Sequence, residues 1–341
     1  MLYAIASRNA ETAEQYAKKY KFKKHYGSYD ALLADPSIDF VYISLPNGLH
    51  YEWAVKSINA GKHVLLEKPI TNNAEDAKAL VALAKEKNVV LMEAFHWQFH
   101  PAAQLFGEIM ADPKRRGGNI ISTYASMTAT PAVPPGDIRW KYDLGGGGLM
   151  DMTYVLSFTR FALGQRASVP KEVVSAKATP SAQDERIDKS MKATLLFASE
   201  RNDGGSDVVS TIYTDLARDW MYGVIPRVWE LPQIRVETEE KEIFFYNAMM
   251  PHIYHYISIK DKKTGQVETL SRYRGGGLWG NRGQDWWSTY RYQLEAFVDR
   301  LKGNEPAWWI SGEESIDQMR TIGEVYKKAG LPIRPRCARS D

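Results

Sequence analysis

The chain has 341 residues, enough for two domains that each bury a core of their own. With 44% hydrophobic and 25% charged residues it has the composition of a globular protein, which excludes collagen-like, coiled-coil and low-complexity classes. The 44 Lys and Arg residues against 41 Asp and Glu residues give a net charge of only +3, so we expect no nucleic-acid partner.

Cysteine usage and the lack of targeting signals indicate the compartment. The single cysteine, Cys337, suits a reducing environment, excludes an internal disulfide, and is a poor nucleophile candidate so near the C-terminus. No apolar run reaches the ~20 residues of a membrane span, and residues 1–25 lack the pattern of a secretory signal. We therefore expect a cytoplasmic protein without a membrane partner. No His/Asp/Glu pattern completes a metal site.

Short β-rich runs alternate with helical patterns over the first hundred residues, which is typical of parallel α/β units. The predicted strands are Leu2–Ser7, Phe40–Leu45, His63–Leu66 and Val89–Met92. The helical faces between them are Ala13, Tyr16, Ala17 and Tyr20; Trp53, Ala54 and Ile58, ending at Gly61; and Ala77, Leu80, Val81 and Ala84, capped by Asn72 or Asn73. This rhythm predicts a doubly wound parallel sheet.

After about Pro101, β-patterned runs follow with little helix between them, which favours an antiparallel sheet. These runs are Asn119–Ser126, Val173–Ala178, Lys192–Phe197, Val208–Thr214, Ile234–Thr238, Glu242–Tyr246 and His255–Lys260. Two helices close the chain, the first with Tyr290, Leu294, Phe297 and Leu301 in register, and the second running from a capping box at Ser311–Glu314 to Gly330. The sequence therefore predicts an α/β domain over residues 1–101 and an α+β domain over residues 102–341, with the last helices as candidates to pack on the first domain.

Strand ends in a doubly wound sheet point into the ligand crevice, so the residues after each apolar run are the candidates for chemistry. Ser7 and Arg8 follow the first strand, where this pair suits a ribose 2′-phosphate and favours NADP over NAD. The alternative is that Ser7 or Asn9 only caps the next helix and that Arg8 is solvated.

The triplet Glu67-Lys68-Pro69 follows the third strand. Proline restricts the residue before it, so the direction in which Lys68 leaves the sheet is defined. A fixed, partly desolvated ammonium group can donate to a substrate oxygen or lower the pKa of a neighbouring hydroxyl. The alternative, a surface ion pair before a turn, fits this context less well.

The fourth strand ends in a segment rich in aromatic residues and histidines, Met92 to Pro101, where the two domains should meet. We interpret His100 as a hydrogen-bonded structural residue. Clustered tryptophans near the C-terminal helices, such as Trp286 and Trp309, are expected to fill cores or oligomer interfaces rather than to stack on sugars.

Taken together, Ser7-Arg8, Pro46-Asn47-x-x-His50, Val64-Leu-Leu-Glu-Lys-Pro69 and Met92-Glu-Ala-Phe95 resemble the glucose-fructose oxidoreductase, inositol dehydrogenase and MocA (Gfo/Idh/MocA) family. The resemblance is nearest to its dimeric dihydrodiol dehydrogenase and NADP-dependent D-xylose dehydrogenase branch. It is specific over residues 1–165 and looser beyond.

The resemblance implies a Rossmann-like N-terminal domain, a C-terminal open sheet that pairs in a homodimer, NADP as cofactor, and Lys68 as the central catalytic residue beside a cis-Pro69. The implied cofactor-binding residues are Ser7, Arg8, Leu45, Pro46, Asn47, His50, Glu67, Lys68, Pro69, Glu93 and Ala94. The implied substrate-binding residues are Phe95, Trp97, Arg139, Trp140 and Asp151. Asp151 lies three residues after the glycine run Gly145–Gly148.

The sequence departs from the family pattern in two places. The family's first strand and its Gly-x-Gly-x-x-Gly phosphate loop precede the strand that ends in Ser-Arg, which here begins at Leu2. Leu2–Ser7 and Phe40–Leu45 then either pair directly or leave open sheet edges. The family's Tyr or His commonly lies four residues after the Asp, whereas Tyr154 lies three after Asp151. Tyr154 is the second catalytic candidate, and a packed helical tyrosine is the alternative.

The leading hypothesis is an enzyme that transfers a hydride between NADP(H) and a sugar or a small cyclic diol or carbonyl substrate. One alternative is a non-catalytic ligand-binding or interaction relative that has lost the phosphate loop. Another is an accessory dehydrogenase of specialised metabolism, acting on a larger, flatter substrate in an aromatic crevice of Phe95, Trp97 and Trp140.

Overall fold

The computed structural model describes residues 2–129, 131–164 and 168–336, so Cys337 lies outside the described residues. The helices are α1 (Ala10–Tyr20), α2 (Tyr29–Leu33), α3 (His50–Asn59), α4 (Ala74–Glu86), α5 (Pro101–Ala111), α6 (Pro113–Arg116), α7 (Gly148–Asp151), α8 (Tyr154–Leu163), α9 (Thr289–Leu301) and α10 (Gly312–Lys328). The strands are β1 (Ala4–Ala6), β2 (Lys24–Tyr26), β3 (Phe40–Ile43), β4 (His63–Glu67), β5 (Leu91–Ala94), β6 (Ile120–Thr128), β7 (Glu172–Pro180), β8 (Asp188–Ala198), β9 (Asp207–Asp215), β10 (Gln233–Thr238), β11 (Lys241–Tyr246), β12 (Tyr256–Asp261) and β13 (Val267–Leu270). None of the helices described here is long and apolar enough to cross a membrane.

The N-terminal part is built from parallel strands joined by helices, which confirms the predicted α/β architecture. The strands form two separate sheets, because β1 pairs only with β2 while β3, β4 and β5 pair with one another. A cavity of about 710 Å³ lies between β1 and β3 and is lined by residues of both strands. We call this cavity the slot. Of the two outcomes expected for these strands, the structure therefore has the open edges and not the direct pairing.

An eight-stranded sheet forms most of the C-terminal part, in the order β13-β12-β11-β10-β6-β9-β8-β7. Every neighbouring pair is antiparallel except β6 and β9, which run parallel. The mainly antiparallel sheet predicted from the β-patterned runs is confirmed. Helix α8 covers one face of it, against β6, β9 and β10.

The sequence patterns missed two long helices of this part, α5 and α8, and two four-residue helices, α6 and α7, so the expectation of little helix after Pro101 is corrected. In α8 all ten residues are buried, and in α5 eight of the eleven are. Both helices are mostly apolar, and a short apolar run by itself does not distinguish a buried helix from a buried strand.

The closing helices α9 and α10 lie against the N-terminal part. Helix α10 packs on α4 and β5, and Phe297 of α9 contacts Phe40 with ring centroids 5.4 Å apart. Ser311 caps α10 by accepting a hydrogen bond from the Glu314 amide at 3.1 Å, as predicted. The predicted apolar face of α9 is wrong at its first two positions, because Tyr290 and Leu294 are 44% and 37% exposed whereas Tyr292 is buried.

A buried ion pair anchors the glycine run. The Arg334 guanidinium donates to Asp188 Oδ1 at 2.9 Å and to the Gly146 carbonyl at 2.8 Å, and both charged side chains are fully buried. Asp188 Oδ2 also accepts from the Leu149 amide at 2.7 Å. Gly147 has φ +133°, and a side chain there would collide with both charged groups. Glycine is therefore required at position 147, because the buried ion pair occupies the space that a side chain would fill.

Arg334→Met is expected to lower the free energy of unfolding by about 3–5 kcal/mol, because it leaves the Asp188 carboxylate buried without its counter-charge. Urea unfolding followed by tryptophan fluorescence measures this. Adding Asp188→Asn to Arg334→Met should recover part of the loss, since the uncompensated charge is then gone. Equal stability of R334M and the unmodified chain would contradict the argument.

Candidate functional site

A cavity of about 440 Å³ lies at the carboxyl ends of β3 and β4, where the segment 138–154 closes over them. Eight residues singled out from the sequence line it: Leu45, Pro46, Asn47, Glu67, Lys68, Arg139, Asp151 and Tyr154. The structure thus brings together strand ends of the parallel sheet and the segment around the glycine run. The roles assigned to these residues remain predictions.

Two cationic side chains, Lys68 and Arg139, contact Asp151. The Lys68 ammonium donates to the Asp151 carbonyl at 2.7 Å and to its Oδ1 at 3.3 Å, while Arg139 Nε donates to Oδ2 at 2.8 Å. Burial raises the pKa of the Asp151 carboxyl, but the charges of Lys68 and Arg139 outweigh burial and hold that pKa below its ordinary value. Asp151 is therefore ionised, and it fixes the Lys68 side chain, which is only 13% exposed. An ammonium group has three N–H donors, so one remains for a substrate oxygen.

Tyr154 begins α8 and reaches the cavity although its ring is packed. Its hydroxyl lies 2.9 Å from His96 Nε2, and its ring centroid lies 5.3 Å from Lys68 Nζ. Phe95 packs against the ring edge-on, at 5.7 Å between centroids. Burial raises the pKa of the Tyr154 hydroxyl well above its ordinary value, so the group stays protonated and acts as a hydrogen-bond donor rather than as a base.

The two loops that carry the strand-end motifs are tied together by His50. Its two ring nitrogens lie 2.8 Å from the carbonyl oxygens of Leu45 and Pro69, and the side chain is fully buried. His50 therefore does not line the cavity, and its predicted contact with the cofactor is corrected to a contact with the loops. The Lys68–Pro69 peptide bond is cis, as the resemblance implied.

Asn47 connects the loop after β3 to the glycine run. Its side-chain amide donates to the Gly145 carbonyl at 3.1 Å. The next residue, Gly48, approaches the backbone of Asp143 and Leu144 so closely that a Cβ atom would collide with it. Glycine is required here by this close approach.

Five predicted site residues lie in the interior instead of the cavity wall. Trp97 is fully buried against Phe158 and Phe161, and its indole N–H donates to Ser157. Glu93, Ala94, Phe95 and Trp140 are likewise buried, at 1%, 0%, 3% and 7% exposure. None of the five lines the cavity, so their predicted contacts with cofactor or substrate are corrected. The three aromatic side chains fill the core, where they bury more apolar area than in an open crevice, and Glu93 Oε1 accepts from the Ile70 amide.

Several cavity residues were missed by sequence reasoning: Tyr42, Ser44, Met127, Ile138, Met249 and Tyr290. Tyr42 donates to the Glu67 carboxylate across the cavity floor. Its position between the buried residues Val41 and Ile43 could have revealed it, since alternate residues of a strand face opposite sides. Tyr290 had no such signal, because only the path of the chain brings α9 to this edge.

Ser7 and Arg8 lie apart from this cavity, at the carboxyl end of β1. Ser7 accepts a hydrogen bond from the Asn9 amide at 3.3 Å, and Asn9 caps α1 by accepting from Thr12 at 3.0 Å. Arg8 is exposed beside this helix N-terminus, a setting that attracts a phosphate group.

The donor set fits the two ends of the dinucleotide that the resemblance implies. Arg8 and the α1 N-terminus suit the ribose phosphate, and the cavity holding Lys68 and Tyr154 suits the nicotinamide with a substrate. The slot between them shares Tyr42, Ser44 and Leu45 with the cavity, and no glycine of the described chain lines it. No group of three or more His, Cys, Asp or Glu side chains within the described ranges could hold a metal ion.

Comparison with known proteins shows the family of this chain. Residues 1–95 match the family model described as oxidoreductase family, NAD-binding Rossmann fold (GFO_IDH_MocA). The chain is 30% identical over 330 residues to the NADP(+)-dependent D-xylose 1-dehydrogenase 2 of Haloferax volcanii. This alignment covers 96% of this chain and 89% of the relative. The chain belongs to the Gfo/Idh/MocA oxidoreductase family.

Other members of the family differ in what they act on. The trans-1,2-dihydrobenzene-1,2-diol dehydrogenase of Xenopus tropicalis is 30% identical over 255 residues, 73% of this chain and 74% of the relative. Among solved structures, the 3-ketoreductase of Actinomadura kijaniata in complex with NADP and TDP-benzene superimposes with a TM-score of 0.74 at 25% identity. That match covers 94% of this chain and 87% of the other.

The burial of the Glu93 side chain predicts how the stability of the fold changes with pH. Burial raises the pKa of its carboxyl from 4.5 to about 7, although its Oε1 accepts from the Ile70 amide at 2.8 Å. Between these pH values the folded chain keeps a proton that the unfolded chain has lost. The free energy of unfolding should therefore fall by ~3 kcal/mol as the pH rises through this window.

Glu93→Gln is expected to remove this fall and to be more stable than the unmodified chain at pH 8, as measured by urea unfolding from pH 5 to pH 8. Glu86→Gln, at an exposed position, is the matched control and should leave the pH dependence unchanged. Identical pH profiles for E93Q and the unmodified chain would show that Glu93 is ionised in the fold.

Proposed function

We propose that the chain is an NADP-dependent oxidoreductase that transfers a hydride between NADP(H) and a carbon bearing a hydroxyl or carbonyl group, in a sugar or a small cyclic diol. The observation that carries the proposal is that Lys68 and Tyr154 line one cavity at the carboxyl ends of parallel strands, with Lys68 Nζ 5.3 Å from the centroid of the Tyr154 ring. The relatives named above act on a sugar, a cyclic diol and a keto substrate, which supports the substrate class.

When bound, the nicotinamide donates or accepts the hydride. Lys68 and Tyr154 then act on the substrate oxygen. In carbonyl reduction, Lys68 Nζ gives a proton to the oxygen that becomes the hydroxyl, and Tyr154 donates a hydrogen bond to the same oxygen. In the oxidation the proton returns to Lys68. Asp151 keeps the ammonium beside the reacting oxygen, and its own charge is balanced by Lys68 and Arg139.

Selection of NADP over NAD is assigned to the end of β1. Arg8 supplies a positive charge, and the free amides at the α1 N-terminus add their dipole. No acidic residue stands at the strand end, where a carboxylate would bind the ribose hydroxyls of NAD. The loop between this end and the cavity consists of Leu45, Pro46 and Asn47, which line the cavity.

The alternative of a larger, flat substrate loses its support, because Trp97, Trp140 and Phe95 are buried and form no crevice. The alternative of a ligand-binding relative is favoured by one observation, the slot, whose described walls offer no glycine-rich turn for a pyrophosphate. Dinucleotide binding and turnover must therefore be measured separately.

The purified chain is expected to quench NADPH fluorescence more strongly than NADH fluorescence, and to oxidise D-xylose or trans-1,2-dihydrobenzene-1,2-diol with NADP⁺. Lys68→Met should lower kcat by about 10²–10⁴-fold, since it removes the proton donor, and should leave NADPH binding within a few fold. Lys18→Met, on an exposed helix face, is the matched control and should leave both unchanged.

Absence of both NADPH binding and turnover across a panel of polyols and diols would contradict the proposal. NADPH binding without turnover would leave the ligand-binding alternative.

We also propose a cytoplasmic homodimer paired through the open sheet. The face of the sheet opposite α8 carries exposed Tyr124 and Val209, together with Tyr246 stacked on Tyr256 at 5.1 Å. An exposed apolar patch of this kind marks an interface. Sedimentation equilibrium should give twice the monomer mass, and Tyr124→Glu should shift the mass toward the monomer. A monomeric unmodified chain at micromolar concentration would contradict the proposal.

A further inference from the structure

His96 lies directly behind Tyr154, and no role has so far been assigned to it. Its ring is 1% exposed, and its Nε2 is 2.9 Å from the Tyr154 hydroxyl. On the other side, Tyr290 stacks on the imidazole with centroids 4.1 Å apart and an interplanar angle of 28°. The ring is therefore held in one orientation, with Nε2 aimed at the tyrosine oxygen.

Burial, with smaller contributions from the charges of Lys68 and His252, lowers the pKa of His96 to about 3, so the ring is neutral at physiological pH. A neutral imidazole carries one hydrogen, on either Nδ1 or Nε2. Nδ1 is buried and has no hydrogen-bond partner in the part of the chain that the structure describes. Because nothing accepts a hydrogen from Nδ1, the ring keeps the tautomer that a neutral histidine intrinsically prefers, with the hydrogen on Nε2.

This tautomer determines what Tyr154 can do. If Nε2–H donates to the tyrosine oxygen, the tyrosine's own hydrogen is not used by His96 and is free to point into the cavity. With the other tautomer, Nε2 would take that hydrogen, and Tyr154 could only accept from a substrate. Negative charge develops on the substrate oxygen during hydride transfer in either direction, so a donor at this place stabilises the transition state.

We propose that His96 is a positioning residue that holds the Tyr154 hydroxyl as a hydrogen-bond donor toward the substrate oxygen. The proposal rests on the proposed oxidoreductase function for its kinetic consequence. Its structural part, the Nε2–H tautomer and the hydrogen bond to Tyr154, does not depend on that function.

Two neutral variants separate positioning from packing. A glutamine at position 96 places its amide nitrogen about as far from the backbone as Nε2 of histidine. An asparagine places its amide nitrogen only about as far as Nδ1. His96→Gln is expected to retain kcat within about threefold. His96→Asn is expected to lower kcat at least tenfold with little change in KM, since the lost interaction acts mainly in the transition state. In a Tyr154→Phe background, His96→Asn should have no further effect on kcat.

A second measurement needs neither cofactor nor turnover. Long-range ¹H–¹⁵N correlation spectra of the ¹⁵N-labelled chain, with the His96 signals assigned by their loss in H96Q, should give a protonated Nε2 and a bare Nδ1 from pH 5 to pH 8. Thermal unfolding of each variant checks that it folds.

Three results would overturn the proposal: a hydrogen on Nδ1 of His96, equal kcat losses in H96Q and H96N, or a full additive loss from H96N in the Tyr154→Phe background. A chain that turns over no substrate while His96 carries its hydrogen on Nε2 would defeat the proposed function and leave the tautomer assignment standing. The two failures are therefore distinguishable.

Discussion

The contact between Lys68 and Asp151 is the interaction on which the site depends. It joins the end of β4 to the segment after the glycine run, across 83 residues of chain. A carboxylate that is only 19% exposed requires compensating charge, and Lys68 and Arg139 provide it from two different elements. Electrostatic compensation thus brings the Lys68 ammonium and the Asp151 carboxylate together at the cavity that Tyr154 also lines.

A second buried charge fixes the framework of that cavity. Asp188 and Arg334 are separated by 146 residues, yet their contact holds the glycine run, from which Asp151 and Tyr154 follow directly. The loop after β3 is held on the opposite side, where Gly48 touches the backbone of residues 143–144 and Asn47 binds Gly145. Glycine is needed at these positions because other groups occupy the space that a side chain would fill.

The cavity that holds Lys68 and the slot differ in how their walls are held together. Around the cavity, Asp151 is paired with Lys68 and Arg139, and the loops are tied by His50. Along the slot, the edges of β1 and β3 face each other without pairing, and apolar residues such as Ile5 and Val41 line the space. The walls of the cavity are therefore held by more hydrogen bonds than the walls of the slot.

Much of the fold could be predicted because its signals are local. The four predicted N-terminal strands and the β-rich runs of the larger sheet are all present, with boundaries shifted by a few residues. The three-residue strand β2 was missed because so short a segment shows no periodicity. The largely buried helices α5 and α8 were missed because a short apolar run does not distinguish a helix from a strand. The site was predicted in part, since Lys68, Asn47 and Asp151 follow strands or turns that the sequence reveals.

By itself, the sequence determined the order of strand-end motifs, the lysine before a proline and the membership of an oxidoreductase family. Only the tertiary structure decided that Trp97 packs in the core while Tyr42 and Tyr290 line the cavity, and that Tyr154, three residues after Asp151, meets His96. Strand and turn signals act over a few neighbouring residues and are visible in a short window. The direction of a side chain at a domain junction depends on burial and charge supplied by segments far away in the chain, which no local pattern contains.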